Sequence, residues 1–160
     1  MKTLIVFYSL EGNTELIAQT LAKRLQADTL KLETERPFPT EGFRKFFHGG
    51  GSVMFRQRPK LKNKNVDLNQ YDLIIIGTPI WAGSYSSPIR SFITKYKIKD
   101  KNIALVLCSA GGEVEKCYTR LKKALQGNKF IGEIDFIEPL KKEKDEVIRI
   151  TNRWAESLSI

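Results

Sequence analysis

Runs of apolar residues alternate along this chain with stretches in which apolar positions recur every three or four residues. Leu4–Tyr8 is a short continuous apolar run, and Asn13–Gln26 places Ile17, Ala18, Leu21, Ala22 and Leu25 at helical spacing. Lys23 and Arg24 close that helix at the end where cations suit its dipole. Asp28–Leu32 alternates and reads as a half-exposed edge strand. Leu73–Gly77 is Ile-rich and apolar on both faces, as a central strand would be. Ser87–Lys97 reads as a helix with Pro88 in its first turn, where the missing N–H costs nothing. Ile103–Cys108 is another buried run, Glu113–Leu125 a helix stopped by Gly127, Phe130–Ile137 a fifth strand, and Lys141–Leu158 a last amphipathic helix.

Five strands separated by helices, with uninterrupted apolar runs at the centre, predict a parallel sheet covered on both faces. The polar strands at 28–32 and 130–137 suit its edges. The expected fold is therefore α/β: a doubly wound five-stranded sheet of order 2-1-3-4-5, with helices on both faces. Residues 1–160 read as one domain, without repeats or low-complexity segments. The long stretch between the second and third strands, about 34–65, reads as an insertion. Phe43, Phe46 and Phe47 stand at i, i+3 and i+4 there, predicting a short amphipathic helix after Thr40 that Gly49–Gly51 breaks.

Charge adds to this picture. With 27 Lys and Arg against 18 Asp and Glu the net charge is +9, and seven of the cations, Arg44, Lys45, Arg56, Arg58, Lys60, Lys62 and Lys64, fall within the insertion with no acid between Gly42 and Asn65. Such a balance fits an acidic partner, an anionic surface or nucleic acid, and equally a well-solvated basic face. Composition is otherwise that of a soluble globular protein, at 41% hydrophobic and 28% charged. No apolar run reaches the ~20 residues of a membrane span. The N-terminal run leads into turn chemistry rather than a cleavage site, so the expected location is cytoplasmic. Two cysteines, Cys108 and Cys117, make no disulfide framework and read as small buried hydrophobes. The single histidine, His48, beside a glycine run, gives no metal-ligand spacing.

In an open α/β sheet, ligands bind beyond the carboxyl ends of the strands, near the point where strand order reverses. Three loops meet there: Ser9-Leu10-Glu11-Gly12-Asn13-Thr14, Thr78-Pro79-Ile80-Trp81-Ala82-Gly83, and Ser109-Ala110-Gly111-Gly112. In the first, Gly12 admits close backbone approach at a helix start, while Ser9, Asn13 and Thr14 add side-chain donors, as a phosphate requires. Plain capping by Asn13 or Thr14 accounts for the same residues. The loop lacks the P-loop lysine and is not the GxGxxG fingerprint. In the second loop, Trp81 follows a buried strand and needs something flat to cover. The third has glycines that let backbone groups face a polar ring edge. Together they make a mononucleotide-sized site, with phosphate at the first loop and a ring between the other two.

Over nearly its whole length the chain resembles short flavodoxin-type proteins. SLEGNT resembles that family's hydroxyl-rich phosphate loop, with Glu11 where Thr is usual and apolar Leu10 where hydroxyls are common, and GTPIWAG resembles its Trp-bearing flavin loop. The resemblance implies FMN as cofactor. It places the phosphate on Ser9, Glu11 (through its backbone), Gly12, Asn13 and Thr14, and the ring against Thr78–Gly83 and Ser109–Gly112. It implies a low-molecular-weight electron-transfer protein or an FMN-dependent NAD(P)H/quinone-type oxidoreductase. The corresponding partners are an acidic redox protein, or a nicotinamide or quinone. The third loop lacks the Tyr that electron-carrier flavodoxins stack on the flavin, and the chain is basic where those carriers are acidic. No catalytic acid or base stands out. A phospho-receiver domain would need acids where Tyr8-Ser9 and Gly77-Thr78 stand, and a Cys-x5-Arg phosphatase is excluded by Val114 and Lys123. A nucleic-acid-binding role for the 44–64 run is the remaining alternative; its aromatics, at core-like spacing, argue against it.

Overall fold

The computed structural model describes residues 2–38 and 57–158. Its first strand, β1 (Thr3–Phe7), sends Leu4 and Val6 to one face and Ile5 and Phe7 to the other, and every position is buried. That two-sided burial dictates a central place. β3 (Leu73–Trp81) and β5 (Asn102–Ser109) are buried in the same way. β2 (Asp28–Lys31) and β6 (Lys129–Ile137) keep exposed residues. The parallel order is β2-β1-β3-β5-β6, the five strands and the sheet order expected from the sequence. A short strand, β4 (Ser84–Tyr85), pairs antiparallel with the end of β3.

Each face of the sheet has its own core. On one, α1 (Asn13–Leu25) contributes Ile17, Ala18 and Leu21, and α4 (Lys144–Ser157) contributes Val147 and Ala155, against Ile5, Phe7, Ile75 and Val106. On the other, α2 (Ser87–Tyr96) and α3 (Val114–Ala124) bury Ile89, Phe92, Cys117 and Leu121 against Leu4, Val6, Ile74 and Leu105. The helices start and stop within a few residues of the predicted positions. The largest offset is at α4, where a 3-10 turn (Pro139–Lys141) takes Lys141 and the helix proper begins at Lys144.

Strand β3 departs from the expected pattern. The sequence suggests an end at Gly77, but the strand continues to Trp81 and folds back: Ile80 pairs with Tyr85 and Trp81 with Ser84. The two linking residues, Ala82 and Gly83, have φ of 46° and 68°, as the type I′ hairpin demands at both central positions.

The described end of the insertion runs beside the edge strand. Thr34 and Leu61 form an antiparallel bridge, Glu35 N donates to Lys60 O (2.9 Å), and Lys62 N donates to Glu33 O (2.8 Å). Ser91 Oγ of α2 donates to Pro59 O at 2.7 Å, tying this strand-like return to the helix. The predicted helix around Phe43–Phe47, the Gly49–Gly51 break, His48 and the cations Arg44, Lys45 and Arg56 lie outside the described residues.

Candidate functional site

Where β1 and β3 lead away in opposite directions along the sheet, a cleft of about 340 Å³ opens at their carboxyl ends, the position expected for a doubly wound fold. Ser9, Leu10, Glu11, Asn13 and Thr14 line it from the first loop, and Pro79, Ile80 and Trp81 from the end of β3. Cys108, Ser109 and Ala110 line it from β5, and Glu138 from the loop after β6. The structure thus draws the three predicted loops to one cavity. Gly12, Thr78, Ala82, Gly83, Gly111 and Gly112 do not line it. Cys108 and Glu138 were not among the sequence candidates. Cys108 ends an apolar run and looks like core, and the loop carrying Glu138 becomes visible only once β6 is seated beside β5.

The first loop is a helix start built around Ser9. Its Oγ accepts from Gly12 N (3.2 Å) and from Glu15 N (3.1 Å), so a residue outside the helix caps the first turn of α1. Gly12, at φ 97°, occupies the left-handed region, and a β-carbon there would stand 3.3 Å from Leu140 Cδ1. Asn13 Oδ1 accepts from Leu140 N at 3.1 Å, anchoring the helix start to the turn after β6 and leaving its amide nitrogen to donate elsewhere. Plain capping by Asn13 or Thr14, the competing sequence reading, is not what these bonds show. The N–H groups of Glu11, Asn13 and Thr14 have no acceptor among the described residues. Glu11 itself is exposed.

Thr14 carries the most informative atom of the site. The residue is 1% exposed, and its Oγ1 has no hydrogen-bond partner. The Cys108 thiol is near enough to feel that hydroxyl, but the contact falls outside hydrogen-bond geometry. Gly77 permits the approach: a β-carbon there would lie 3.1 Å from Thr14 Cγ2 and from Phe7 Cβ. A buried hydroxyl without a partner costs about 1–3 kcal/mol. Here it lies beside unbonded N–H groups at the positive end of a helix dipole, which is the donor set a phosphate needs.

The ring end is apolar and walled rather than open. Trp81 is 1% exposed. It meets Tyr8 edge-on at 5.6 Å and 86°, and Phe38 at 5.2 Å and 70°. The expectation that Trp81 needs a ligand to cover it is therefore corrected: the hairpin turns this side chain into the core, where aromatic neighbours already cover it. Trp81 still forms part of the cleft wall. Thr78, wholly buried, accepts from Ser86 N and donates to Ser86 Oγ, both at 3.0 Å, fastening β3 to the start of α2. Gly83 packs against Lys116 and Glu113 instead of the cleft. In the third loop Ser109 Oγ accepts from Gly111 N at 3.3 Å, and Gly111 and Gly112, at φ 129° and 86°, have open space around them.

Burial pushes the Cys108 thiol up to about 12, against a smaller lowering by the Thr14 hydroxyl. It stays protonated at neutral pH and is no nucleophile. Among the described residues no group of three or more His, Cys, Asp or Glu could hold a metal ion, and no helix is long and apolar enough to cross a membrane. The cleft thus offers anion donors at one end and apolar walls beyond them. It fits a phosphate-bearing planar ring.

Known proteins share this fold. Across 96% of this chain and 98% of its own, a flavoprotein of Lactobacillus acidophilus, solved in complex with FMN, superposes with a TM-score of 0.73 at 23% identity. A candidate flavoprotein of Bacteroides eggerthii reaches 0.77 at 22% identity over the same shares. The two-electron reduced flavodoxin of Megasphaera elsdenii reaches 0.61 at 19%, covering 95% of this chain and 99% of its own. None of the curated proteins matches. The flavodoxin family model matches residues 2–133, and the chain belongs to the flavodoxin family.

Proposed function

We propose that this protein binds FMN in the cleft, with phosphate at Ser9–Thr14 and the ring between Pro79–Trp81 and Ser109–Ala110, the parts of the two predicted ring loops that line it, and acts as a low-molecular-weight electron-transfer protein. The unpartnered Thr14 hydroxyl, set among unbonded N–H groups at the start of α1, carries this reading. Bound FMN would supply the one-electron redox chemistry. The chain's own work is binding, orientation and exclusion of water. Glu11, Asn13 and Thr14 donate through their N–H groups, and the Thr14 and Ser9 hydroxyls each have a proton to give. Leu10, Ile80 and Trp81 wall the space. No side chain is needed as acid or base. The net charge of +9 favours the added negative charge of reduction. The second one-electron potential is therefore expected to be less negative than in acidic flavodoxins, and a more negative value in a redox titration refutes that sign.

The proposed setting is cytoplasmic, with residues 1–160 as one domain bearing an insertion at about 34–65. A second reading, an FMN-dependent NAD(P)H/quinone-type oxidoreductase, is favoured by the third loop, where Ala110–Gly112 are exposed and carry no aromatic. Rapid mixing separates the two. A carrier exchanges single electrons with a redox protein and reacts slowly with NAD(P)H. Fast two-electron reduction by NAD(P)H would replace the carrier reading with the oxidoreductase.

A further inference from the structure

The cations of the described surface are unevenly paired. Lys2, Arg24, Lys31, Lys116, Lys122 and Lys141 each reach a carboxylate. Among the described residues the other cations reach none, and three of them gather about the Trp81–Tyr85 hairpin. Arg90, from the first turns of α2, lies over the Tyr85 ring at 4.9 Å, and its Nε is buried without a partner. Arg120, exposed on α3, donates Nη1 to Gly83 O at 3.0 Å. Arg58, exposed on the return segment, is near enough to act on the Tyr85 hydroxyl together with the other two. Burial raises that hydroxyl's pKa and the three arginines lower it. None of the three arginines forms an ion pair among the described residues.

Three elements therefore set three uncompensated guanidinium groups about one turn, and that turn is the strand end that walls the ring side of the cleft. Tyr85 sits directly across from Ile80, which lines the cavity. Lys60 and Lys95 extend the positive surface along a shallow groove with Arg58, where Glu35 is the one acid. Arginine presents a planar fork of donors to carboxylates and is enriched in protein interfaces. A net positive patch beside a redox site raises the encounter rate of an acidic partner and orients it.

We infer that the surface formed by Arg58, Arg90 and Arg120 about the largely buried Trp81–Tyr85 hairpin is the docking face for an acidic redox protein. This rests on the electron-transfer reading of the same cleft. The breadth of the charge, from the 58–60 segment across α2 to α3, suits a protein carboxylate surface better than one small anion.

The test is an amide NMR titration of the isotope-labelled chain with an acidic [2Fe–2S] ferredoxin as probe, at low and high salt. Shifts and intensity losses are expected at residues 58, 60, 82–85, 90 and 120, and added salt should abolish them. The triple substitution Arg58→Gln, Arg90→Gln, Arg120→Gln should weaken binding about tenfold or more. An equal removal of charge on α4, Lys144→Gln, Arg149→Gln, Arg153→Gln, should change it less than about twofold, as distant screened charges do. Should Arg90→Gln disturb the hairpin, Arg58→Gln, Lys60→Gln, Arg120→Gln gives the same readout from exposed side chains. Perturbations centred elsewhere, equal effects of the two triple substitutions, or no binding would overturn the proposal. So would NADPH producing the same local shifts, since the cluster would then serve a dinucleotide phosphate. Flavin absorbance of each sample reports the cofactor reading separately, because the titration needs no flavin.

Discussion

Replacing Thr14 by Val should strengthen the protein and weaken its site together. The side chain is buried, its Cγ2 packs at Gly77, and its hydroxyl has no partner. Valine keeps the shape and removes only the orphaned polar atom. The desolvation penalty of such an atom is about 1–3 kcal/mol. Even its lower bound should raise the unfolding temperature of the flavin-free protein by roughly 2–4 °C for a chain of this size. The same change removes a donor to a charged group, a bond of about 1.5–3 kcal/mol, so FMN should bind roughly 10- to 150-fold more weakly. Riboflavin, which lacks the phosphate, should be nearly unaffected. Thermal unfolding without flavin and fluorescence titration with both flavins measure the two halves. A fall in unfolding temperature with unchanged FMN affinity would refute the reasoning, leaving Thr14 as a packing residue only.

Three further outcomes follow from the same structure. Glu11→Thr removes an exposed carboxylate from the cleft wall and should tighten FMN binding by about 2–5-fold, the size of an exposed charge interaction; a titration at low and high salt should show the gain only at low salt. Burial raises the Cys108 and Cys117 thiols from 9.0 to about 12. The native state therefore keeps protons that the unfolded chain releases, and stability is full below pH 9 and falls as pH rises toward 12. Urea unfolding at pH 10 should show a loss of ~1 kcal/mol per thiol relative to neutral pH, and a flat profile would contradict it. Finally, a β-carbon at Gly132 would collide with Leu158 Cδ2, the tip of a side chain that can swing aside, and come within 3.3 Å of Trp154 Cζ2, so Gly132→Ala should cost no more than about 1 kcal/mol, the low end of overpacking. Denaturant midpoints check this.

The sheet was legible because burial on both faces leaves a continuous apolar run in Leu4–Phe7, Leu73–Ile76 and Ile103–Leu107. The edge strands betrayed themselves by Asp28, Lys31, Lys129 and Glu133. The end of β3 was not legible. Pro79 interrupts the run and Trp81 looks like a loop aromatic, because the atoms that cover it, on Tyr8 and Phe38, are far away in sequence. A local signal did exist: Ala82-Gly83 between Trp81 and Ser84 is a two-residue hairpin spacing. Ser9 as the cap of α1 was hidden too, since the bond that reaches the helix, from Glu15 N, spans six residues where a cap ordinarily spans two or three. The phosphate end of the site could be read from local turn chemistry. The contributions of Cys108 and Glu138 depend on strand neighbours, which no local pattern encodes.

The central claim is that the Ser9–Thr14 loop holds the phosphate of a flavin. Equilibrium titration of the flavin-free chain with FMN and with riboflavin, followed by flavin fluorescence, tests it most directly. One FMN per chain is predicted, with at least about tenfold preference over riboflavin, since even one hydrogen bond to a charged phosphate contributes ~1.5 kcal/mol. Equal affinity for the two flavins, or no saturable binding of either, would contradict the account.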